Sequence, residues 1–199
     1  PTIHMNIRYF EVDSGARWFG GGIDLTPMYV EEQAAAHFHR RLKGVCDLWD
    51  PTFHAEYKRW ADDYFFIPHR NETRGIGGIF YDRIQPSETL PAEKIFGFTC
   101  AVGRLFAPLY AEVADLPRDR AFTAAEKDWQ LLRRGRYVEF NLVHDRGTRF
   151  GLETGGRTES ILMSLPAEAR WSYDHRPEPG SPEAATLALL RKGIDWAAR

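Results

Sequence analysis

The sequence has few cysteines and no long apolar run. Cys46 and Cys100 are its only cysteines and form no CxxC pair, which excludes a disulfide framework and a zinc knuckle. It contains no run of roughly 18 apolar residues and no secretory signal pattern. We therefore expect a soluble, cytoplasmic protein. The chain opens at Pro1 directly into a patterned strand, from which we expect a fragment or processed form.

An excess of one charge is also missing. The 26 basic and 28 acidic residues leave a formal net charge of -2, and no basic tract is present, which excludes nucleic acid as the expected partner. Most basic residues are arginine, which holds carboxylates bidentately and suits a polyanionic small molecule. The alternative explanation is a GC-rich genome, which gives the same excess of arginine over lysine. Phosphate-loop and GxSxG patterns are absent, so neither nucleotide binding nor covalent catalysis is indicated.

Hydrophobic periodicity predicts an α+β fold with a largely antiparallel sheet, in one domain over residues 1–199. The predicted helices cover residues 31–48, 52–65, 91–114, 123–135 and 182–196. The predicted strands cover residues 2–10, 17–22, 75–82, 137–144, 148–152, 159–165 and 169–173. The first two strands form one predicted hairpin, and residues 137–152 form another.

The first strand carries unusual polar residues. His4, Asn6 and Arg8 alternate with Ile3, Met5, Ile7 and Tyr9, so one face of the strand is apolar and the other presents an imidazole, an amide and a guanidinium. An ordinary wet face would carry Thr, Lys or Glu. The row predicts the floor of a site for an anionic ligand.

A glycine triplet precedes an acidic residue in the next strand. Gly20, Gly21 and Gly22 lead into Ile23 and Asp24, and the missing Cβ atoms would let a flat ligand approach the backbone. Asp24 then lies at the end of the strand. The alternative is that Asp24 is only a capping or turn residue.

Three histidines are candidate metal ligands. His4, His39 and His69 could supply imidazoles, but their spacing matches no HExxH or facial-triad motif. A histidine in such a place is more often a satisfied core or capping residue than a metal ligand. The sequence therefore leaves metal binding open.

Two further segments are candidate anion holders. Arg70 and Arg74 lie between the second predicted helix and the strand predicted from residue 75, where they could bind carboxylates or form surface ion pairs. Gly155, Gly156 and Arg157 offer backbone N–H groups and a guanidinium together, which suits an anion-binding turn. The alternative for this second segment is a simple hairpin tip.

Taken together, several motifs resemble oxygen-dependent coproporphyrinogen III oxidases, and the resemblance runs over nearly the whole chain. The first strand, WFGGGIDLTP, DDYFF, HR and RGIGG carry it in the first half, and RRGRYVEFNL, DRGT, residues 154–164 and the Arg170-Trp171 pair carry it in the second. The form Gly155-Gly156-Arg157 is similar to the bacterial branch of the family. From this resemblance we expect the sequence to lack the N-terminal portion that the family contributes to the pocket.

The resemblance implies an oxidoreductase of haem (porphyrin) biosynthesis that converts two propionates of coproporphyrinogen III to vinyl groups, giving protoporphyrinogen IX. O2 is the co-substrate and no organic cofactor is implied. The implied fold is a large flat antiparallel β-sheet covered on both faces by α-helices. The implied assembly is a homodimer, through a region that includes Tyr137 to Ser172.

The resemblance also implies roles for individual residues. His4 would donate a proton, and Asp24 would face the pyrrole N–H groups as the second catalytic residue. His4, His39 and His69 match histidines proposed as divalent-metal ligands in a family also described as working without metal. The implied substrate-binding residues are Asn6, Ile7, Arg8, Arg74, Gly155, Gly156 and Arg157.

Two other functions compete with this one. A non-catalytic tetrapyrrole-binding module would explain a site built mainly of anion holders in an incomplete chain. A His-ligated metallo-oxygenase would require stoichiometric metal. Loss of turnover far exceeding loss of affinity in an Asp24→Ala variant would separate the enzyme from the binding module.

Overall fold

The computed structural model describes residues 1–115 and 118–199. The strands are β1 (Thr2–Glu11), β2 (Arg17–Thr26), β3 (Phe66–Ile67), β4 (Glu72–Thr73) and β5 (Gly78–Ile84). The helices are α1 (Glu32–Asp47), α2 (Phe53–Tyr64), α3 (Ala92–Asp115), α4 (Ala124–Glu139), α5 (Arg146–Glu153), α6 (Thr158–Ile161) and α7 (Pro182–Leu189). A π-helical segment, Phe140–His144, follows α4 directly. The arrangement is α+β.

The predicted first hairpin is confirmed. β1 and β2 pair antiparallel along their whole length, from Thr2 opposite Thr26 to Glu11 opposite Arg17. β5 adds to the other side of β2, giving a three-stranded sheet in the order β1-β2-β5, while β3 and β4 form a separate two-stranded sheet. All pairings are antiparallel. β2, as the central strand, is buried over almost its whole length.

The helices pack their apolar residues against the sheet in two clusters. The larger joins Ile23 and Leu25 of β2 and Ile79 of β5 to residues of α1 and α3 that include Phe38, Leu42, Phe98 and Val102. The smaller surrounds Phe80 of β5 with Ala61 of α2, Phe65 just after α2, Ile67 of β3 and Phe140 of the π-helical segment. Because Ile79 and Phe80 are consecutive in a strand, the two clusters lie on opposite faces of it.

Four predicted helices are confirmed to within a few residues, and α4 begins with the predicted capping box. Thr123 accepts a hydrogen bond from the Glu126 N–H, and the Glu126 side chain accepts one from the Thr123 N–H. The last helix is shorter than predicted. α7 ends at Leu189, and only a short 3-10 turn at Trp196–Ala198 follows.

The predicted strands in the second half of the chain are wrong. Residues 137–144 continue α4 and then form the π-helical segment, and residues 148–152 lie in α5, where Asp145 caps the helix by accepting from the Thr148 N–H. Residues 159–165 begin in α6, and residues 169–173 form no strand. The three-stranded sheet is consequently smaller than the predicted large, flat one.

The apolar face of β1 is also more exposed than predicted. Met5, Ile7 and Tyr9 are between 39% and 49% exposed, because β1 lies at the edge of the sheet. Only Ile3 packs against the larger cluster. Among the described residues, no helix is long and apolar enough to cross a bilayer.

Candidate active site

The register of the sheet brings the predicted polar residues together on one face. In an antiparallel pair, residues directly opposite each other share a face. His4 lies opposite Asp24, Asn6 opposite Gly22 and Arg8 opposite Gly20. This face therefore carries three cross-strand pairs. In each pair β1 contributes a polar side chain, and β2 contributes either the acidic Asp24 or a glycine.

The glycines of β2 make room for neighbouring side chains. A Cβ on Gly20 would lie 2.7 Å from Asp82 Oδ1 and 2.8 Å from Arg8 Nη2, and one on Gly22 would lie 3.3 Å from the Phe80 ring. The space predicted for a flat ligand is thus partly taken by the protein. Glycine at position 20 is what allows an Arg8–Asp82 ion pair to lie across the strand.

Arg8 is held in place but keeps unused donors. Its Nη1 donates to Asn6 Oδ1 at 2.6 Å, and its Nη2 donates to Asp82 Oδ1 at 3.0 Å. The side chain is 26% exposed. A guanidinium has five N–H donors, so three have no partner among residues 1–115 and 118–199 and remain for a ligand carboxylate. Asn6 therefore acts through Arg8 in this arrangement.

Ile7 lies on the other face of β1 from this group. Its side chain projects toward α3, since a Cβ on Gly103 would lie 2.9 Å from Ile7 Cδ1. The structure therefore separates Ile7 from His4, Asn6 and Arg8, with which it was predicted to bind substrate.

Asp24 forms a buried ion pair with Arg74. Both residues are 5% exposed, and Arg74 Nη2 donates to Asp24 Oδ2 at 2.6 Å. Three hydrogen bonds connect the segment after Arg74 to β2 and α1: Ile76 N–H to Leu25 O, Leu25 N–H to Gly77 O, and His39 Nε2–H to Ile76 O. Asp24 is therefore a buried carboxylate with a dedicated partner, and the capping alternative does not describe it.

Within this ion pair, the Arg74 guanidinium is enclosed by aromatic rings and by the Asn141 side-chain amide. The Arg74 guanidinium lies 4.2 Å from the ring centre of Phe65 and 4.7 Å from that of Phe140, distances at which cation–π attraction is effective. Its Nη1 donates to Asn141 Oδ1 at 3.0 Å. Arg74 Nε and Asn141 Nδ2 are buried and have no protein hydrogen-bond partner within residues 1–115 and 118–199.

These surroundings keep Asp24 ionised. Burial acts to raise the pKa of Asp24, but the Arg74 guanidinium and the His4 imidazole outweigh it, so the pKa lies below its usual value. His4 Nδ1 lies 3.4 Å from Asp24 Oδ2. That separation is an ion-pair contact rather than a well-aligned hydrogen bond.

The end of α4 and the π-helical segment that follows it each supply one site residue that was not predicted. Tyr137 places its hydroxyl oxygen 2.5 Å from His4 Nε2 and stacks on the imidazole, with ring centres 4.9 Å apart. Asn141 contacts Arg74. Residues four apart share a helix face, so the RYVEFN motif, interpreted as a helix, would have placed Tyr137 and Asn141 together.

His39 and His69 do not join His4. His39 is fully buried and donates from Nε2 to Ile76 O, and burial lowers its pKa to about 3. His69 is exposed, with Nε2 3.1 Å from Glu139 Oε2 and Nδ1 3.1 Å from His144 Nε2. Within the part of the chain that the structure describes, no three His, Cys, Asp or Glu residues are placed to hold a metal ion. The three histidines do not fit a shared metal.

Arg70 is engaged by Glu139. Its Nε and Nη2 donate to the two Glu139 oxygens at 2.9 and 2.7 Å. Burial acts to raise the pKa of Glu139, but hydrogen bonds from Arg70 and His69 outweigh it, and the pKa falls to about 2. This explains Arg70 as an ion-pairing residue.

The Gly155–Arg157 turn lies in its own local structure. The Gly156 N–H donates to Gly151 O, and Arg157 O accepts from Ser160 N–H. All three residues, including Gly155 with φ of +71°, are exposed. In the described ranges, no hydrogen bond joins this turn to Asp24, His4 or Arg74.

Comparison with known proteins identifies the family. The family model for coproporphyrinogen III oxidase matches residues 1–196, and the chain belongs to this family. The chain is 53% identical over 202 residues to the mitochondrial oxygen-dependent coproporphyrinogen-III oxidase of Homo sapiens. The alignment covers 98% of the chain and 44% of that protein.

Two other relatives give the same result. The oxygen-dependent coproporphyrinogen-III oxidase of Drosophila melanogaster is 51% identical over 201 residues, covering 98% of the chain and 51% of the relative. The chloroplastic coproporphyrinogen-III oxidase 1 of Arabidopsis thaliana is 51% identical over 204 residues, covering 98% and 52%. The chain thus spans about half the length of the relatives it matches.

Proposed function

We propose that the protein containing this chain catalyses the oxygen-dependent oxidative decarboxylation of two propionates of coproporphyrinogen III, giving the vinyl groups of protoporphyrinogen IX. The observation that carries the proposal is the buried, ionised Asp24 held between Arg74 and His4, in a chain whose relatives are named oxygen-dependent coproporphyrinogen-III oxidases.

Asp24 faces the pyrrole N–H groups of the substrate in this proposal. A reduced macrocycle directs its N–H donors toward one point, where an ionised carboxylate accepts them. The same negative charge stabilises positive charge that develops on a pyrrole ring as electrons leave it. Arg74 acts on the reaction mainly through Asp24, because its Nη2 is committed to that carboxylate.

The propionates are bound by guanidiniums and amides. Arg8 has three N–H donors without a partner in the part of the chain that the structure describes, and Asn6 and Asp82 fix its orientation. Arg74 Nε and Asn141 Nδ2 are buried donors without a protein partner in the described ranges, and a rearrangement that opens the buried site would make each available to a substrate oxygen. Gly155, Gly156 and Arg157 would contact the substrate only through a rearrangement of their exposed turn.

The reaction balances with O2 as the only oxidant. A propionate side chain loses CO2 and a hydride equivalent to become a vinyl group, releasing two electrons. O2 accepts the hydride equivalent and one further proton, forming hydrogen peroxide. The further proton is supplied by His4, whose imidazole lies beside Asp24. A divalent metal remains a prediction of the family resemblance, and no step here uses one.

Other predictions remain part of the proposal. The exposed apolar face of β1 supports a larger flat sheet, covered by helices, in the complete protein. Exposed apolar side chains at Leu142, Val143, Phe150, Met163 and Trp171 support the predicted homodimer through residues 137–172. The bacterial-type assignment, the missing N-terminal portion and the cytoplasmic location also remain predictions, and several relatives are named mitochondrial or chloroplastic.

The test is turnover by the full-length protein. Coproporphyrinogen III is supplied with and without O2, and tetrapyrrole products are measured as their oxidised porphyrins. We expect protoporphyrinogen IX to form only with O2. Tight substrate binding without any product would refute the enzyme and favour the non-catalytic tetrapyrrole-binding module instead.

A further inference from the structure

A buried tyrosine hydroxyl lies against the imidazole of His4. Tyr137 is 1% exposed, and its hydroxyl oxygen lies 2.5 Å from His4 Nε2. The two rings are stacked, with an interplanar angle of 18°. The hydrogen bond and the stack together restrict rotation of the imidazole.

Asp24 determines the direction of this hydrogen bond. A neutral imidazole carries one proton, and its position is set by the partner of the other nitrogen. The Asp24 carboxylate is ionised and faces Nδ1, so the proton is stable on Nδ1. Nε2 then accepts a hydrogen bond from the Tyr137 O–H.

A hydroxyl also serves the protonated imidazole. When His4 carries two protons, Nε2–H donates and the phenol oxygen accepts, because a hydroxyl is both donor and acceptor. The same two atoms therefore stay hydrogen-bonded when His4 gains or loses a proton. Phenylalanine would keep the stack and lose this bond.

Resting on the proposed function, we propose that Tyr137 is a positioning residue for His4. It fixes the imidazole ring with Nδ1–H directed at Asp24, so that His4 can give up and regain a proton without moving. Tyr137 acts through His4 and makes no substrate contact in this proposal.

The neighbouring elements hold Tyr137 itself in place. The Arg134 guanidinium lies 4.2 Å from its ring centre and that of Arg74 lies 5.3 Å away. Arg134 Nη1 also donates to Thr2 Oγ1, which connects α4 to β1 beside His4. The charged and titratable groups that face the His4–Tyr137 pair are therefore Asp24, Arg74 and Arg134.

The first test compares Tyr137→Phe with Tyr81→Phe in the full-length protein. Tyr81 is a matched control, because its hydroxyl is also buried and hydrogen-bonded, to Thr99 at 3.2 Å, but lies in the larger core cluster. We expect kcat of Tyr137→Phe to fall about 10- to 100-fold with KM little changed. Tyr81→Phe should retain kcat.

The second readout is independent of turnover. In protein labelled with 15N-histidine, His4 should show the Nδ1–H tautomer, and Tyr137→Phe should shift the His4 Nε2 signal, because Nε2 loses the hydrogen bond that it accepts from the Tyr137 hydroxyl. Unchanged His4 signals would overturn the proposal. If the unmodified protein produced no vinyl groups, the proposed function would fail, and the 15N result would still decide the role of Tyr137.

A third variant covers the case in which Tyr137→Phe does not fold. A fluorotyrosine at position 137 keeps the hydroxyl and makes it more acidic. We expect the pH-rate profile to shift with the acidity of the phenol, since the hydroxyl is bonded to His4 in both protonation states. A profile that stays in place would contradict a role through His4.

Discussion

Removing the partner of Asp24 should cost much of the stability of the protein. Arg74→Met retains side-chain length but removes the guanidinium that donates to Asp24 at 2.6 Å. With both residues 5% exposed, water cannot replace the lost partner. Breaking a buried ion pair in this way costs about 3–5 kcal/mol. Urea denaturation monitored by tryptophan fluorescence at pH 7 would measure the loss.

The acid behaviour of the same variant gives a sharper test. In the unmodified protein the pKa of Asp24 is lowered, so its stabilising contribution is present above the unfolded pKa and is lost as the pH falls through the folded one. Without Arg74, burial dominates and the pKa of Asp24 rises. Protonation then relieves the unpaired charge, so the destabilisation relative to the unmodified protein should shrink as the pH falls from 7 to 4.

A double variant isolates the pair itself. Asp24→Asn removes the charge that Arg74→Met leaves unpaired, so the double variant should be more stable than the sum of the single losses predicts by about 2 kcal/mol. Arg133→Met breaks another buried pair, in which Nη1 donates to Glu72 Oε1 at 2.9 Å, and should show no coupling to Asp24→Asn. A loss below about 1 kcal/mol in Arg74→Met, or additive losses in the double variant, would refute the reasoning.

Three further predictions address single residues. Asp24→Asn should lower kcat at least about 100-fold while changing substrate affinity far less, because it removes charge stabilisation needed in the transition state; steady-state kinetics with a binding titration checks this. Arg8→Lys should raise KM about tenfold, because an ammonium cannot contact Asn6, Asp82 and a carboxylate in the fixed geometry of a guanidinium; an unchanged KM would contradict it. Burial lowers the pKa of His39 from 6.5 to about 3. The contribution of His39 to the free energy of unfolding should therefore fall by about 1.4 kcal/mol per pH unit as the pH falls below 6.5. His39→Gln, which still offers a donor to Ile76 O, should remove this pH dependence from denaturation curves.

The first half of the fold could be predicted because its patterns are local. Alternation in residues 2–10 and a turn at Asp13–Gly15 are enough to define the hairpin. The register was not predicted, because the predicted second strand ended at Gly22, whereas β2 continues to Thr26 and places Asp24 opposite His4. The aromatic and aliphatic spacing in α1, α2 and α3 has the helical period. Each of these patterns is decided by residues close together in sequence.

The second half was misassigned because its pattern is ambiguous. Residues 137–144 alternate polar and apolar side chains, which is typical of a strand, yet Tyr137 and Asn141 also have the spacing of a helix face. The choice between strand and helix depends on which side chains are buried against other segments of the chain. Arg133, Tyr137 and Asn141 each contact a residue of a different segment, Glu72, His4 and Arg74, and only a helical backbone brings all three to one side.

The pairing of Asp24 with Arg74 could not be derived from the sequence. The two residues are 50 positions apart, and an acid in a strand and a base in a turn are each compatible with surface roles. Their burial follows from the way β2, β5 and the π-helical segment enclose the turn at residues 74–77. The predicted convergence of His4, His39 and His69 depended on similar long-range geometry, which places them apart.

The amount of O2 consumed per vinyl group formed is the first measurement to make on the proposed oxidative decarboxylation. O2 consumption and vinyl-group formation would be measured together during turnover of coproporphyrinogen III by the full-length protein, with Asp24→Asn as the inactive reference. We expect one O2 to be consumed for each vinyl group formed. Vinyl formation without O2, or O2 consumption at the same rate in Asp24→Asn, would contradict it.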